Sequence, residues 1–225
     1  MANRPIPSAD QLAADRTRAL ALVDVSREIL VRLDTFVNLL LKWQQHTNLV
    51  APTSLGLVWT RHIADSLQLL DLASERAQTW VDLGSGGGFP GVVLACALTD
   101  RPGARMILVE STGKKANFLQ ECVQTLQLPA LVHTGRIEDF VRSFSDSVDV
   151  VTARALAPLP TLLAYAEPLL KRGAQGLFPK GQDVEVELTE STKSWKIDAA
   201  LVPSRTSEQG RILVVRHIKR RATRS

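Results

Sequence analysis

The sequence predicts an α/β fold, a mainly parallel sheet with helices on both faces, preceded by an N-terminal helical region. Two observations predict the sheet. The apolar segment Trp80–Leu83 leads through alternate glycines into the apolar segment Val92–Leu98, which is the strand, turn and helix that open such a sheet. From Thr79 onwards strand-like and helix-like segments alternate, which favours parallel strands. A third observation, apolar residues at spacings of three and four, predicts helices before residue 76.

Three helices are expected in residues 1–75, the region that we predict to pack on the rest of the chain. Ser8 begins a capping box and so predicts the start of the first helix. Asp24 or Ser26 caps a second helix, whose apolar residues form a continuous stripe. A third helix is predicted from about Ser54 to Leu72.

Residues 76–225 are expected to form one domain. The late strands of this domain are free to add an antiparallel edge to the parallel sheet. The predicted strands are Trp80–Leu83, Arg105–Glu110, Leu131–Thr134, Val148–Ala153, Gly173–Pro179, Trp195–Val202 and Arg211–Val215. The predicted helices are Val92–Leu98, Lys114–Leu128 and Pro160–Leu170.

Composition indicates a reduced, cytoplasmic protein. Its 225 residues are 45% hydrophobic, enough for a sizeable core, and no apolar stretch resembles a signal peptide or a membrane span. Cys96 and Cys122 both fall in predicted helices, where they are expected to fill the core rather than to bind a metal. The net charge of +4 is uneven, since residues 205–225 hold seven basic residues and one acid. This basic segment can serve a polyanion such as RNA, or be a solvated tail from Lys219 onwards.

The glycine turn indicates the kind of ligand. A phosphate-binding G-x-G-x-x-G pattern can be traced through Gly86, Gly88 and Gly91, but Pro90 within it lacks an N–H to donate. Asp82 also places a carboxylate two residues before the first glycine of the turn. An acid beside alternate glycines suits a cation that carries hydroxyls and no phosphate, as S-adenosylmethionine (SAM) does. A nucleotide site of the NAD type and a turn without a ligand are the alternatives.

Acids at later strand ends extend this hypothesis. Glu110 ends the second predicted strand, where adenosine-binding α/β folds use an acid to accept hydrogen bonds from ribose hydroxyls. Ile137 follows the third strand and can pack on an adenine, with Glu138 or Asp139 accepting from the amino group of the base. An acidic helix start is the alternative for these residues. Arg154, after the fourth strand, can bind the SAM carboxylate, steer an RNA phosphate or bond to backbone carbonyls.

Three absences bear on the reaction. The fourth strand is not followed by the Asp/Asn-Pro-Pro-aromatic segment used to methylate exocyclic amines, and no cysteine ends a strand to attack a pyrimidine. No His/Asp pair offers a general base, and His62 is a single helical histidine that is more often structural. An acceptor with a free lone pair, such as guanine N7, needs none of these groups. Catalysis would then rest mainly on alignment of the two reactants.

Several motifs together resemble one known family. The resemblance runs from about residue 36 to residue 216. The motifs are Asn48-Leu49, Arg61-His62-Ile63-Ala64-Asp65-Ser66, the segment 82–91, Glu110-Ser111-Thr112-Gly113-Lys114-Lys115, Thr152-Ala153-Arg154-Ala155 and Pro179-Lys180-Gly181. They are similar to those of the RsmG (GidB) family, the bacterial 16S ribosomal RNA (guanine-N7)-methyltransferases. The chain departs from the family pattern at Gly87 and at Phe178-Pro179.

The resemblance implies a Rossmann-like SAM-dependent methyltransferase fold and transfer of a methyl group to guanosine 527 in the 530 loop of 16S rRNA. It implies SAM as methyl donor without a metal, and a partner that is 16S rRNA or a small-subunit particle; we expect a monomer that does not bind membranes. The predicted SAM-binding residues are Asp82, Gly84, Gly86, Phe89, Glu110, Ile137, Glu138 and Arg154. The candidate RNA-binding residues are Arg61, Lys114, Lys115, Arg154, Lys180 and Arg216.

Other functions stay open from the sequence. The chain can be a SAM methyltransferase of another RNA, of a small molecule or of a protein. It can also be a non-catalytic RNA-binding factor in ribosome assembly. An NAD oxidoreductase is disfavoured by Asp82 and Pro90.

Overall fold

A computed structural model describes residues 7–221, and its centre is a seven-stranded sheet in the order β3-β2-β1-β4-β5-β7-β6. The strands are β1 (Thr79–Leu83), β2 (Arg105–Glu110), β3 (Ala130–Thr134), β4 (Val150–Thr152), β5 (Gln175–Lys180), β6 (Trp195–Pro203) and β7 (Arg211–Arg220). Strands β1 to β5 are parallel to one another, whereas β7 runs antiparallel to β5 and to β6. The predicted Rossmann-like sheet with an antiparallel edge is therefore confirmed.

Helices surround the sheet and precede it. They are α1 (Ala9–Leu20), α2 (Arg27–Gln44), α3 (Pro52–Leu55), α4 (Asp65–Leu67), α5 (Gly91–Leu98), α6 (Gly113–Thr125), α7 (Ile137–Ser143), α8 (Leu159–Leu170) and α9 (Val184–Ser191). Ser8 caps α1 by accepting from the backbone N–H of Gln11 at 3.2 Å. Ser26, rather than Asp24, caps α2. In residues 7–221 we find no helix with the length and apolar character to cross a bilayer.

The prediction of one continuous helix over residues 54–72 is wrong. The chain instead forms α3, a π-helical turn at Trp59–Ala64, α4 and a 3-10 segment at Gln68–Leu72. Asp15, fully buried on α1, explains the break because its carboxylate accepts from the backbone N–H groups of Trp59 at 2.8 Å and Thr60 at 3.2 Å. A new helical segment therefore starts at these residues, capped by a side chain from another helix.

Alternate residues of the strands supply two hydrophobic clusters, one on each face of the sheet. Trp80 joins the cluster with the N-terminal helices, α5 and α6, whereas Val81 joins the cluster with α7 and α8. Burial of each large side chain stabilises the fold by about 1.5–3 kcal/mol. The N-terminal helices thus share a core with one face of the sheet, and the division at residues 75/76 stays a prediction.

The two cysteines lie in these helices without forming a disulfide. Cys96 and Cys122 are buried and free, and burial raises the pKa of the Cys96 thiol to about 12. Burial also raises the pKa of the Cys122 thiol. Both residues therefore fill the core as neutral thiols, as predicted.

Candidate active site

The turn between β1 and α5 is built by glycines with positive φ. Gly84, Gly86 and Gly88 have φ of 70°, 53° and 87°, which residues with a Cβ seldom adopt. A Cβ on Gly84 would lie 2.6 Å from Leu156 Cδ1, so this glycine is covered by the segment that follows β4. A Cβ on Gly86 would meet only the carbonyl oxygen of Gly84, at 3.7 Å. The turn is therefore closed at Gly84 and open to a ligand at Gly86.

Asp82 holds this turn from beneath. It is fully buried, and its carboxylate accepts from Thr152 Oγ1 at 2.8 Å and from the backbone N–H of Gly91 at 3.2 Å. Burial raises the pKa of Asp82 to about 6, although the hydrogen bonds that it accepts favour the ionised form. Asp82 thus connects β1 to β4 and to the start of α5, and its direct contact with SAM stays a prediction.

Glu110 stands at the carboxyl end of β2 beside the open part of the turn. Its Oε2 accepts from the backbone N–H of Gly86 at 2.9 Å, and its Oε1 accepts from that of Thr112 at 2.7 Å. Each carboxylate oxygen accepts about two hydrogen bonds, so each has one lone pair left for a ligand. Two fixed acceptors next to an open glycine turn are compatible with the predicted ribose site, and the contact of Glu110 with SAM stays a prediction.

Ile137 and Glu138 begin α7, directly after β3. Register places Thr134 of β3 opposite Glu110, so the start of α7 lies at the same edge of the sheet. Both side chains are partly exposed. The pKa of Glu138 is lowered because its carboxylate accepts from its own backbone N–H and from Arg136. A half-buried apolar side chain beside an ionised acid is compatible with the predicted adenine site.

On the other side of the turn, Phe89, His62 and Arg154 lie in contact with one another. The His62 ring stacks on Phe89 with centroids 4.8 Å apart, and the Arg154 guanidinium lies 5.4 Å from the Phe89 ring centroid. Arg154 donates to the backbone carbonyl of Arg61 at 2.8 Å, to Asp65 Oδ2 at 3.3 Å, and to Nδ1 of His62. Phe89 is only 5% exposed, so it supports this group from the core side.

The hydrogen bonds of His62 indicate a neutral ring and define which of its two nitrogens carries the proton. Because Nδ1 faces the Arg154 guanidinium, it must accept, so Nε2 carries the proton and donates to Ser54 Oγ at 2.9 Å. The Ser54 hydroxyl in turn donates to the carbonyl of Ala51 at 2.9 Å. Burial, reinforced by the charges of Arg154 and Arg61, lowers the pKa of His62 to about 3. His62 is therefore a neutral group that orients Arg154, which is the structural role left open by the sequence.

A cleft of about 650 Å³ opens beyond Arg154, at the carboxyl ends of β4 and β5. Its walls are lined by residues that include His62, Arg154, Lys180, Glu187 and Arg211. Its volume is within the usual range of small-molecule sites and is sufficient for a nucleobase. We call residues 154–156 the shared wall, because Arg154 lines this cleft while Leu156 covers Gly84 of the turn.

The structure brings most of the predicted RNA-binding residues to this edge of the sheet. Arg61, Arg154 and Lys180 line the cleft, and Lys114 and Lys115 occupy the first turn of α6, after β2. Lys180 is not a free cation, since its Nζ lies 2.6 Å from Glu187 Oε2 and its side chain is 12% exposed.

Arg216 is the exception. Lys180 pairs with Arg211 and Gly176 with Val215, so Arg216 follows at the amino ends of the parallel strands, away from the cleft. Its described partner is Asp198, at 3.6 Å. Arg211 takes the place at the cleft that the sequence analysis gave to Arg216.

The basic C-terminal segment is part of the sheet as far as Arg220, which does not agree with a solvated tail that starts at Lys219. β7 continues to Arg220, which stacks on Trp195 and pairs with Glu167 at 2.8 Å. Arg224, the last basic residue, lies outside the described residues.

Two cleft residues had no assigned role in the sequence analysis. Asp65 belongs to the motif Arg61–Ser66, and it follows His62 by three residues. This spacing places both side chains on one face of a helix and could have indicated that they act together. Glu187 lies in α9, a helix without an apolar stripe, so no pattern pointed to it.

The comparisons of sequence with known proteins agree on one family, and the comparison of structures agrees on the fold. The family model described as rRNA small subunit methyltransferase G (GidB) matches residues 29–215. Ribosomal RNA small subunit methyltransferase G of Bradyrhizobium sp. (strain BTAi1) is 61% identical, over 93% of this chain and 94% of that protein. The protein of the same name from Bradyrhizobium sp. (strain ORS 278) is 60% identical, over 95% and 96%. The O-methyltransferase TomG from Streptomyces achromogenes, solved with SAM, shares the fold with a TM-score of 0.59 at 14% identity, over 92% of this chain and 97% of its own. The chain therefore belongs to the GidB family, rRNA small subunit methyltransferase G.

Proposed function

We propose that this protein transfers the methyl group of SAM to N7 of a guanosine in 16S rRNA, namely guanosine 527 of the 530 loop. One observation supports this most directly. The open turn beside Glu110 and the nucleobase-sized cleft lie on opposite sides of the shared wall, at one edge of the sheet. Two adjoining sites suit a donor and an acceptor, and membership of the GidB family gives the class of acceptor.

SAM would be held on the side of the wall where the turn is open. Glu110 would accept from its ribose hydroxyls, Ile137 would pack on its adenine and Glu138 would accept from the adenine amino group. Gly86 would allow close approach of the backbone to SAM, whereas Gly84, covered by Leu156, would shape the turn. In this assignment Asp82 and Phe89 support the site from beneath, since both are buried.

Arg154 would contact both reactants from the shared wall. It donates to the backbone carbonyl of Arg61, to Asp65 and to the neutral His62, so its position is fixed while two of its five N–H groups remain for a ligand. A fixed guanidinium suits the carboxylate of SAM or a phosphate of the RNA.

The chemistry needs alignment rather than a base. Bound SAM supplies a methyl carbon attached to a positively charged sulfur. The N7 lone pair forms the new bond to that carbon while the carbon–sulfur bond breaks and its electron pair stays on sulfur, so no proton leaves. The protein contributes by fixing the acceptor in the cleft and excluding water, and alignment of this kind lowers a barrier by roughly 7–11 kcal/mol.

Three titratable groups at the cleft agree with that requirement. His62 is neutral with both ring nitrogens bonded, Asp65 accepts from Arg154, and Lys180 is paired with Glu187. Because each of these three side chains is engaged with another residue, they are not set apart to remove a proton.

The RNA would approach along the carboxyl edge of the sheet. Arg61, Lys114, Lys115 and Arg211 all lie there, where a phosphate backbone would gain from several cations at once. Contact of Arg216 with RNA stays a separate prediction, because it requires RNA to reach the opposite edge. We also propose that the enzyme acts as a monomer in the cytoplasm.

The test is transfer of labelled methyl from SAM to small-subunit RNA and to particles that lack the modification, followed by mapping of the product. Label at N7 of one guanosine supports the proposal, and comparison of RNA with particles identifies the substrate. Label in a protein or small molecule instead would favour the corresponding methyltransferase. Absence of SAM binding would favour an RNA-binding assembly factor.

A further inference from the structure

The pair formed by Lys180 and Glu187 is a fixed polar group in the wall of the cleft. Lys180 ends β5 and Glu187 lies on α9, with Nζ and Oε2 2.6 Å apart. Oε2 also accepts from the backbone N–H of Leu159, at 2.6 Å, where α8 begins. Within residues 7–221 no hydrogen bond to Oε1 is described, so this oxygen is left to the cleft. The pair thus presents a positive donor and a negative acceptor side by side.

We propose that this pair reads the edge of the target base and makes guanine, rather than adenine, the acceptor. Guanine carries an acceptor, O6, next to a donor, N1–H, and the pair offers the complementary donor and acceptor in Lys180 and Glu187. Adenine carries the reverse, an amino donor next to an unprotonated N1. This inference rests on the proposed function, and it assigns to two residues the choice of base.

The position of the pair also agrees with reaction at N7. O6 and N7 both lie on the major-groove edge of guanine. Lys180 is on β5, next to β4, whose exit carries the shared wall and Arg154. With O6 at Lys180, N7 would point towards the wall and the SAM side. Adenine could satisfy the pair only when turned over, and N7 would then face away.

A phosphate contact explains the pair less well. Glu187 already neutralises Lys180, and a phosphate at Lys180 would approach a carboxylate at the same time. The side chains are 12% and 29% exposed, which places them within the wall of the cleft rather than on the outer surface. A role of Glu187 in joining β5 to α8 and α9 explains the contacts of Oε2 but gives no role to Oε1.

The first test uses the unmodified enzyme and changes only the base. Small-subunit RNA is assembled with guanosine, inosine or adenosine at the mapped target, reconstituted into particles if these are the substrate, and initial methylation rates are compared. Inosine retains O6, N1–H and N7, so we expect a rate within a few-fold of guanosine. Adenosine retains N7 but reverses the edge, so its rate should fall roughly tenfold to a hundredfold, the usual value of one two-point contact. Equal rates for adenosine and inosine would overturn the inference.

The second test changes the enzyme. Glu187→Gln keeps the length of the side chain and can still accept from Leu159, but its amide offers a donor where N1–H needs an acceptor. We expect a lower guanosine rate and at least a tenfold smaller guanosine-to-adenosine ratio, with unchanged SAM affinity by calorimetry. Glu185→Gln, exposed on the same helix, is the matched control and should keep the wild-type ratio.

The outcomes separate this inference from the function on which it rests. A Glu187→Gln enzyme that keeps both the rate and the base preference would refute the role of the pair and leave the methyltransferase function standing. A wild-type enzyme that labels no RNA at all would refute the proposed function itself. If Glu187→Gln does not fold, Glu187→Asp, which keeps the charge but shortens the reach of the carboxylate, is tested for the same fall in the guanosine-to-adenosine ratio, and an unchanged ratio would refute the role of the pair.

Discussion

His62 should make the folded protein lose stability in mild acid. Its pKa is about 3 in the folded state and near 6.5 when unfolded, because burial and the charges of Arg154 and Arg61 oppose a proton on the ring. A lowered folded pKa gives stability that is present above about pH 6.5 and is lost as pH falls towards 3. Linkage gives a loss of about 2 kcal/mol between pH 8 and pH 5 from this residue alone.

The assay compares the wild type with His62→Asn, whose side-chain oxygen can replace Nδ1 as the acceptor for Arg154 and does not titrate. The free energy of unfolding is measured in urea by tryptophan fluorescence at pH 8 and pH 5. Lowering the pH from 8 to 5 should reduce the free energy of unfolding of the wild type by about 2 kcal/mol more than that of His62→Asn. His46→Asn removes an exposed imidazole and serves as the control. A difference between wild type and His62→Asn that does not change with pH would refute the neutral, enclosed His62.

Three further substitutions test the SAM side of the site. For Asp82→Asn we expect the opposite change, a wild type that loses stability relative to the variant as pH rises. Because the pKa of Asp82 is raised to about 6, the free energy of unfolding of the wild type should fall by about 2 kcal/mol relative to that of Asp82→Asn between pH 4 and pH 7. A difference in unfolding free energy that is the same at both pH values would contradict this. Glu110→Gln should weaken SAM binding about tenfold to a hundredfold in calorimetry, since an amide N–H cannot accept from a backbone N–H or a hydroxyl; an unchanged Kd would remove Glu110 from the ribose site. Gly84→Ala should weaken SAM binding, because alanine is strained at a φ of 70° and its Cβ would displace the Leu156 side chain that covers the turn. Gly173→Ala, also at positive φ but with open space around it, should only lower Tm. Equal SAM binding by both variants would argue against the close packing of the turn.

The sheet and the SAM side were predictable because their signals are local. A strand, a glycine turn and a helix follow one another within twenty residues, and Glu110 marks the end of the next strand along the chain. Parallel strands bring such carboxyl ends to one edge, so the fold itself places residues that are far apart in sequence side by side. This rule alone predicts that the glycine turn after β1 and the start of α7 after β3 lie beside Glu110.

The cleft side was less predictable because its signals are not local. The break in the helix predicted over residues 54–72 depends on Asp15, a buried acid from another helix, which no pattern within that segment reveals. Arg216 and Arg211 differ by five residues, and only the register of β7 against β5 decides which of them reaches the cleft. Glu187 lies in a helix that buries too little apolar surface to show a period.

Arg154 connects the two halves of the site through charge as well as through position. Its guanidinium lies beside the His62 ring, and its positive charge helps to keep that ring unprotonated. The same charge lowers the pKa of Asp82 against the larger effect of burial, and so favours the ionised carboxylate that holds Gly91 and Thr152. One fixed cation therefore influences a ring on the cleft side and a carboxylate under the glycine turn. Its removal would disturb both halves together, which is why we place Arg154 in the shared wall rather than on the RNA surface alone.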